Sequence, residues 1–206
     1  DELILLNVNA IYSSDEIDYE TINEFGKSCF VPLTVGGGIK NIYEAQKLLR
    51  YGADKVSLNS NAYENPNLIS DIAKRYGSQC VVASVDVRLE NNDKSWKCYS
   101  HAGKKKTGKN VIEWVKEIEA RGAGEILITS IDKDGTMNGY DLNLIETVVN
   151  SVKIPVIASG GAGNYQHMID AVIKSGASAV AAASMFHFTE QTHLGAKIAM
   201  ENAKIP

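Results

Sequence analysis

Cysteine is scarce in this chain, and the three present, Cys29, Cys80 and Cys98, are an odd and widely spaced set without a Cys-x-x-Cys pair. That excludes a disulfide framework and a cysteine zinc site, and it points to three free thiols, two of them in strands, and a reducing, cytoplasmic setting. The four histidines fall at no metal-ligand spacing. His101 lies in a long loop, His167 and His193 lie on helices, and His187 reads as a packed residue ending the last strand. No metal or other cofactor is expected. Basic charge is not in excess either: 21 Lys and Arg against 25 Asp and Glu leave a net charge of −4, which excludes a general polyanion partner such as nucleic acid. No apolar run approaches membrane-spanning length and no signal-peptide pattern opens the chain, so a membrane association is not expected. Gly-x-Gly-x-x-Gly is also missing, which removes most support for an open dinucleotide-binding sheet.

What is present is a repeat. Val31-Pro-Leu-Thr-Val-Gly-Gly-Gly-Ile39 returns as Ile154-Pro-Val-Ile-Ala-Ser-Gly-Gly-Ala162. Each copy continues into a helix-like run stopped by glycine, at Gly52 and Gly176, and then into Gly-Ala, a strand and a serine, Ser60 and Ser184, at a spacing of about 124 residues. That is a half-domain duplication. Apolar strand runs recur at 1–8, 30–35, 55–58, 80–86, 125–130, 155–159 and 179–182, and amphipathic stretches lie between most of them at 19–28, 43–50, 67–76, 111–121, 142–151 and 166–175. Alternating strand and helix predicts a parallel sheet with crossover helices.

The repeat pairs the first visible strand with the fifth, the second with the sixth and the third with the seventh. Strand 80–86 is left without a partner, which is expected about 40 residues before Asp1, since Asp1 to Val8 is already a strand with no initiating methionine. Restoring it gives a single α/β domain over 1–206, a (βα)8 TIM barrel of two half-barrels whose first unit lies outside the sequence. The polar stretch from Arg88 to Lys106, with a turn at Glu90-Asn-Asn-Asp93 and an arm at Ser95 to Ser100, interrupts the rhythm directly after Asp86. It reads equally as a lid on the catalytic face or a surface hairpin.

In a barrel the strands deliver the active site at their C-terminal ends. Those ends carry Asn7 and Asn9, Gly36 to Gly38, Asn59 and Ser60, Asp86, Ser130 to Asp134 with Gly135, Ser159 to Gly161, and Ala183 with Ser184. The set is small, amidic and hydroxylic, suited to phosphates and sugar hydroxyls. Gly37, Gly38, Asn59 and Ser60 would cradle one anion through backbone N–H groups, and Gly135, Gly160, Gly161, Ala183 and Ser184 a second one across the mouth. Glycines that merely permit tight turns are the plainer alternative. Two symmetry-related copies, each followed by a hydroxyl-bearing strand end, favour the cradles. Asp86 closes an apolar strand and is the candidate general acid or base, unless it caps a helix or pairs with Arg88. Asp132 and Asp134 either hold substrate hydroxyls or support their turn. At the opposite rim Glu2, Lys55 and Glu125 begin three apolar runs, a pattern usually no more than a solvated ring.

These motifs resemble a known family. Pro32-Leu-Thr-Val-Gly-Gly-Gly-Ile39, Gly52-Ala-Asp-Lys-Val-Ser57, Gly77-Ser-Gln-Cys-Val-Val82, Arg121-Gly-Ala-Gly-Glu-Ile-Leu127, Asp132-Lys-Asp-Gly-Thr136, Ile157-Ala-Ser-Gly-Gly-Ala-Gly163 and Ala183-Ser-Met-Phe-His-Phe188 are similar to those of the cyclase subunit of imidazole glycerol phosphate synthase, of histidine biosynthesis. The resemblance covers essentially the whole chain. It implies a lyase subunit that joins ammonia from a partner glutaminase to a bisphosphorylated ribulotide, yielding imidazole glycerol phosphate and aminoimidazole carboxamide ribotide. It also implies that Asp86 is one of two catalytic aspartates, that Thr129, Asp134 and Ser159 touch substrate, and that Glu2, Lys55 and Glu125 form an ammonia gate where the glutaminase docks. Asn7 and Met137 depart from the family's usual aspartate and lysine, and the Asp134-Gly-Thr-Met-Asn-Gly-Tyr-Asp141 and Ala177-Ser-Ala-Val-Ala-Ala-Ala-Ser184 forms resemble instead a cyclase-like paralogue, an ammonia-delivering subunit for acetamidino modification of bacterial surface sugars.

Overall fold

The computed structural model describes residues 1–7, 17–90 and 94–205. Seven parallel strands follow one another in chain order: β1 (Leu3–Leu6), β2 (Leu33–Gly36), β3 (Lys55–Leu58), β4 (Val81–Glu90), β7 (Glu125–Ser130), β8 (Val156–Ser159) and β9 (Ala179–Val180). Each pairs with the next in parallel register, from Leu3 opposite Leu33 through Ala83 opposite Ile126 to Ile157 opposite Ala179. Parallel neighbours need crossovers, and helices provide them: α1 (Tyr19–Ser28), α2 (Ile42–Arg50), α3 (Ser60–Glu64), α4 (Asn67–Tyr76), α5 (Val111–Ala120), α6 (Leu142–Val149) and α7 (Tyr165–Ile173), with α8 (Ser184–Phe188) and α9 (His193–Asn202) following β9. The fold is α/β, with the curled parallel strands and alternating helices of a TIM barrel.

The core follows from burial on both faces of the sheet. Val56, Leu58, Val81, Val85, Ile126, Ile128 and Val156 are buried in the strands, and Leu48, Ile69, Ile72, Trp114, Ile118 and Leu144 cover them from the helices. β-Branched residues dominate the strands because the pleated, doubly buried surface accommodates them.

The duplication persists at the level of single dihedrals. Asp18 caps α1 at φ −75°, ψ 87° and Asp141 caps α6 at −79°, 87°. Asn41 caps α2 at −153°, 168° and Asn164 caps α7 at −160°, 170°. In each cap the side-chain oxygen accepts a hydrogen bond from a backbone N–H of the first turn, which satisfies one of the helix's orphan donors. Side chains also repeat at the strand starts. The Leu33 N–H donates to Asp54 Oδ2 and the Val156 N–H to Ser178 Oγ.

Several expectations change. The strand expected at 80–86 starts at Val81 and runs on to Glu90, because its last residues pair antiparallel with β5 (Ser95–Ser100), which in turn pairs with β6 (Lys105–Asn110). β6 escapes a periodicity reading because Lys-Lys-Thr-Gly-Lys-Asn has no apolar alternation. The expected turn at 90–93 lies mostly outside the described residues, as does Asn9. His187 is not packed at a strand end but exposed in α8. All three cysteines are free, yet only Cys98 lies in a strand. Cys29 follows α1, and Cys80 ends a short 3-10 turn at Ser78–Cys80.

Candidate active site

The C-terminal strand ends open on a cavity of about 750 Å³. Asn7, Gly37, Gly38, Asn59, Ser60, Asp86, Thr129, Asp134, Ser159 and Ala183 all line it, brought together from seven strands. A second cavity of about 660 Å³ adjoins it and shares Asp134, Ser159 and Ala183. Gly135, Gly160, Gly161 and Ser184 line this second one, so the two predicted anion cradles lie on separate arcs of one mouth. The second cavity continues between β1 and β9 down to Glu2.

Asp86 sits on β4 opposite Thr129 of β7 and Tyr99 of β5. Its Oδ2 accepts a hydrogen bond from Asn59 Nδ2 at 2.8 Å. Burial raises its pKa to about 6; the Asn59 hydrogen bond pulls the other way, and the Asp134 charge adds to the rise. A carboxylate in this state is largely ionised at neutral pH and still basic enough to take a proton, which suits a general base. Arg88 does not pair with Asp86: its Nε donates to Asp132 Oδ1 at 3.1 Å, outside the mouth. Asp132 therefore supports the rim, and Asp134 is the aspartate of that loop that lines the cavity.

The glycine turns are dictated in part by close backbone approach. Gly161 has φ 110°, and a Cβ there would lie 2.2 Å from the Gly139 carbonyl oxygen; the Gly139 N–H in turn donates to the Gly161 carbonyl at 2.7 Å. Gly37, at φ 108°, packs equally closely on the Asn7 backbone, with 2.4 Å between an added Cβ and the Asn7 oxygen. Close backbone approach thus fixes glycine at both turns.

At the other ends of the strands, Lys55 Nζ donates to Glu2 Oε2 at 2.9 Å and to Glu125 Oε1 at 2.7 Å. Burial works against the Lys55 charge, but the two carboxylates outweigh it and hold its pKa above the usual lysine value. Glu125 Oε2 is buried without a hydrogen-bond partner. The three predicted gate residues thus form one ion-pair cluster rather than an open ring. Among the described residues no group of three His, Cys, Asp or Glu side chains could hold a metal ion, and no helix is long and apolar enough to cross a membrane.

The sequence matches the histidine biosynthesis protein family over residues 1–192. It is 46% identical over 206 residues to the imidazole glycerol phosphate synthase subunit HisF of Hyphomonas neptunium, an alignment that covers 100% of this chain and 81% of that protein. The chain belongs to this family. A second HisF subunit, from Leptospira biflexa, is 45% identical over 190 residues, which cover 92% of this chain and 74% of the relative. One element of the mouth was not among the candidate site residues: His101, Ala102 and Gly103, at the tip between β5 and β6, also line it. Their one sequence signal was the position of that loop, directly after the strand that carries Asp86.

Proposed function

We propose that this chain is the cyclase subunit that joins ammonia to a bisphosphorylated ribulotide, with cleavage and ring closure yielding imidazole glycerol phosphate and aminoimidazole carboxamide ribotide. The observation that carries the reading is the mouth itself: a carboxylate with a raised pKa between two glycine-lined arcs, in a chain of the HisF family. The backbone around Gly37, Gly38, Asn59 and Ser60 holds one phosphate. That around Gly135, Gly160, Gly161, Ala183 and Ser184 holds the other. A substrate with two phosphates then spans the mouth, with its reacting centre over Asp86, and Thr129, Asp134 and Ser159 take its hydroxyls. Asp86 moves the proton that ring closure requires, and Asn59 holds its Oδ2 in place.

Ammonia reaches this centre from the opposite end of the strands. A glutaminase partner docks at the rim, where the Glu2, Lys55 and Glu125 cluster has to rearrange to pass a small neutral molecule. The setting is cytoplasmic, in keeping with three free thiols. The working unit is a single barrel domain, in which the apolar gap between β9 and β1, whose facing edges pair with no strand among the described residues, takes an eighth strand.

The test is turnover of the formimino ribulotide by the chain, completed with its eighth strand, with ammonium salt as nitrogen source. Release of the imidazole product near neutral pH is expected. Its absence across pH 6–9, together with failure to complement a histidine auxotroph, would sink this reading and favour the sugar-amidation role, for which Asn7 and Met137 are the sequence support.

A further inference from the structure

The hairpin β5–β6 is fastened across the mouth on two sides. On one side the His101 N–H donates to Ser60 Oγ at 2.9 Å, which ties the tip to the end of β3. On the other, Gly103 packs on Ile131 beyond the end of β7, where an added Cβ would lie 3.2 Å from Ile131 Cδ1. β4 lies between these two strands, so the tip lies over the end that carries Asp86. The tip holds consecutive left-handed residues, His101 at φ 55°, Ala102 at 52° and Gly103 at 75°, a costly arrangement for the two non-glycines. Among the described residues lining this cavity, Asp86 and Asp134 are acidic, and Lys40 and His101 are the basic side chains.

We propose that His101 is a phosphate-binding residue of the first cradle, a side-chain donor added to the backbone groups of Gly37 and Gly38. The local hydrogen bonds leave the right groups available. Ser60 Oγ already accepts the His101 N–H, so the Ser60 hydroxyl proton remains to donate to a phosphate oxygen. His101 Nδ1 lies 2.9 Å from Ser100 Oγ, whose hydroxyl can donate to it. That pairing places the ring hydrogen on Nε2 and leaves Nε2–H as a donor to the ligand. One charge-assisted hydrogen bond of this kind is worth about a tenfold change in affinity.

This inference rests on the phosphate-cradle part of the proposed function, and one titration separates the two. Inorganic phosphate is added to isotopically labelled protein while the backbone amides of Gly37 and Gly38 and the ring nitrogens of His101 are followed by NMR. Saturable shifts of both sets with one Kd are expected. His101→Asn, which tolerates the left-handed backbone but removes the ring, is expected to raise that Kd about tenfold and leave phosphate-induced shifts at Gly161 unchanged. Glycine amides that shift while the ring does not, or an unaltered Kd in the variant, overturn the role of His101 and leave the cradle standing. Glycine amides that do not respond overturn both.

Discussion

At the scale of the residue, Asp86 shows how a site can oppose stability. In the unfolded chain its carboxyl ionises from about 3.8, whereas in the fold burial delays ionisation to about 6. The folded state therefore holds the extra proton between these values, and stability falls as pH rises through that window and stays reduced above it. A shift of this size corresponds to at most about 3 kcal/mol. Asp86→Asn, which keeps an acceptor for Asn59, is expected to raise the melting temperature at pH 7 and to give no gain below pH 4, measured by thermal unfolding across pH. In the same variant turnover falls by about two to four orders of magnitude, the usual contribution of a general base. Activity of the unsubstituted protein rises through about pH 6. A more stable but inactive variant would mark Asp86 as retained for chemistry; an active one would remove it from the mechanism.

Glycine turns and strand termini set the scale of the element. Gly161 and Gly135 both adopt positive φ in the second cradle, but their surroundings differ. Next to Gly161 stands the Gly139 carbonyl, while an added Cβ at Gly135 meets nothing within 4 Å. Gly161→Ala therefore costs both backbone strain and a forced separation of the two loops, roughly 3 kcal/mol or more, and Gly135→Ala only the conformational term, about 1 kcal/mol. Urea unfolding of the two variants checks the order, and equal costs would show that the Gly139 contact carries no weight. The repeat made these elements readable in advance. Helices 19–28 and 67–76 and strands 55–58 and 125–130 have the expected bounds, because the helices have a cap or glycine stop and one apolar face and the strands are short apolar runs. The hairpin was half legible: Ser95–Ser100 forms a strand, but Lys105–Asn110 takes its strand form from its antiparallel partner β5 rather than from an apolar pattern of its own.

For the whole molecule, the decisive feature is that the same strands carry unlike chemistry at their two ends. Lys55 begins β3, and Asn59 follows its end. At the lower rim, breaking the cluster leaves two carboxylates facing each other with one buried oxygen already unpartnered. Lys55→Met is expected to cost about 1–3 kcal/mol, partial exposure of Glu2 holding it below the full cost of a buried pair. Because the raised Lys55 pKa is a gain of partners, that stabilisation is complete below the ordinary lysine range and is lost as pH rises through the folded value. On the functional side, the substitution is expected to alter glutamine-dependent turnover in the presence of a glutaminase more than ammonium-dependent turnover. An equal effect on both would deny the rim a role in ammonia transfer.

The sequence by itself determined the alternation of strands and helices, the duplication, the set of strand-end residues and the family. All of these depend on local periodicity, glycine spacing and motifs read along one dimension. Tertiary structure decided what those residues touch. Asp86 takes Asn59 rather than Arg88 as its partner, the charged rim closes on Lys55, and the interrupted loop reaches Ser60 and Ile131 to cover the mouth. Each is a contact between groups more than 25 residues apart in the chain. No local propensity encodes such contacts, because their energy depends on burial and geometry that arise only when the sheet curls.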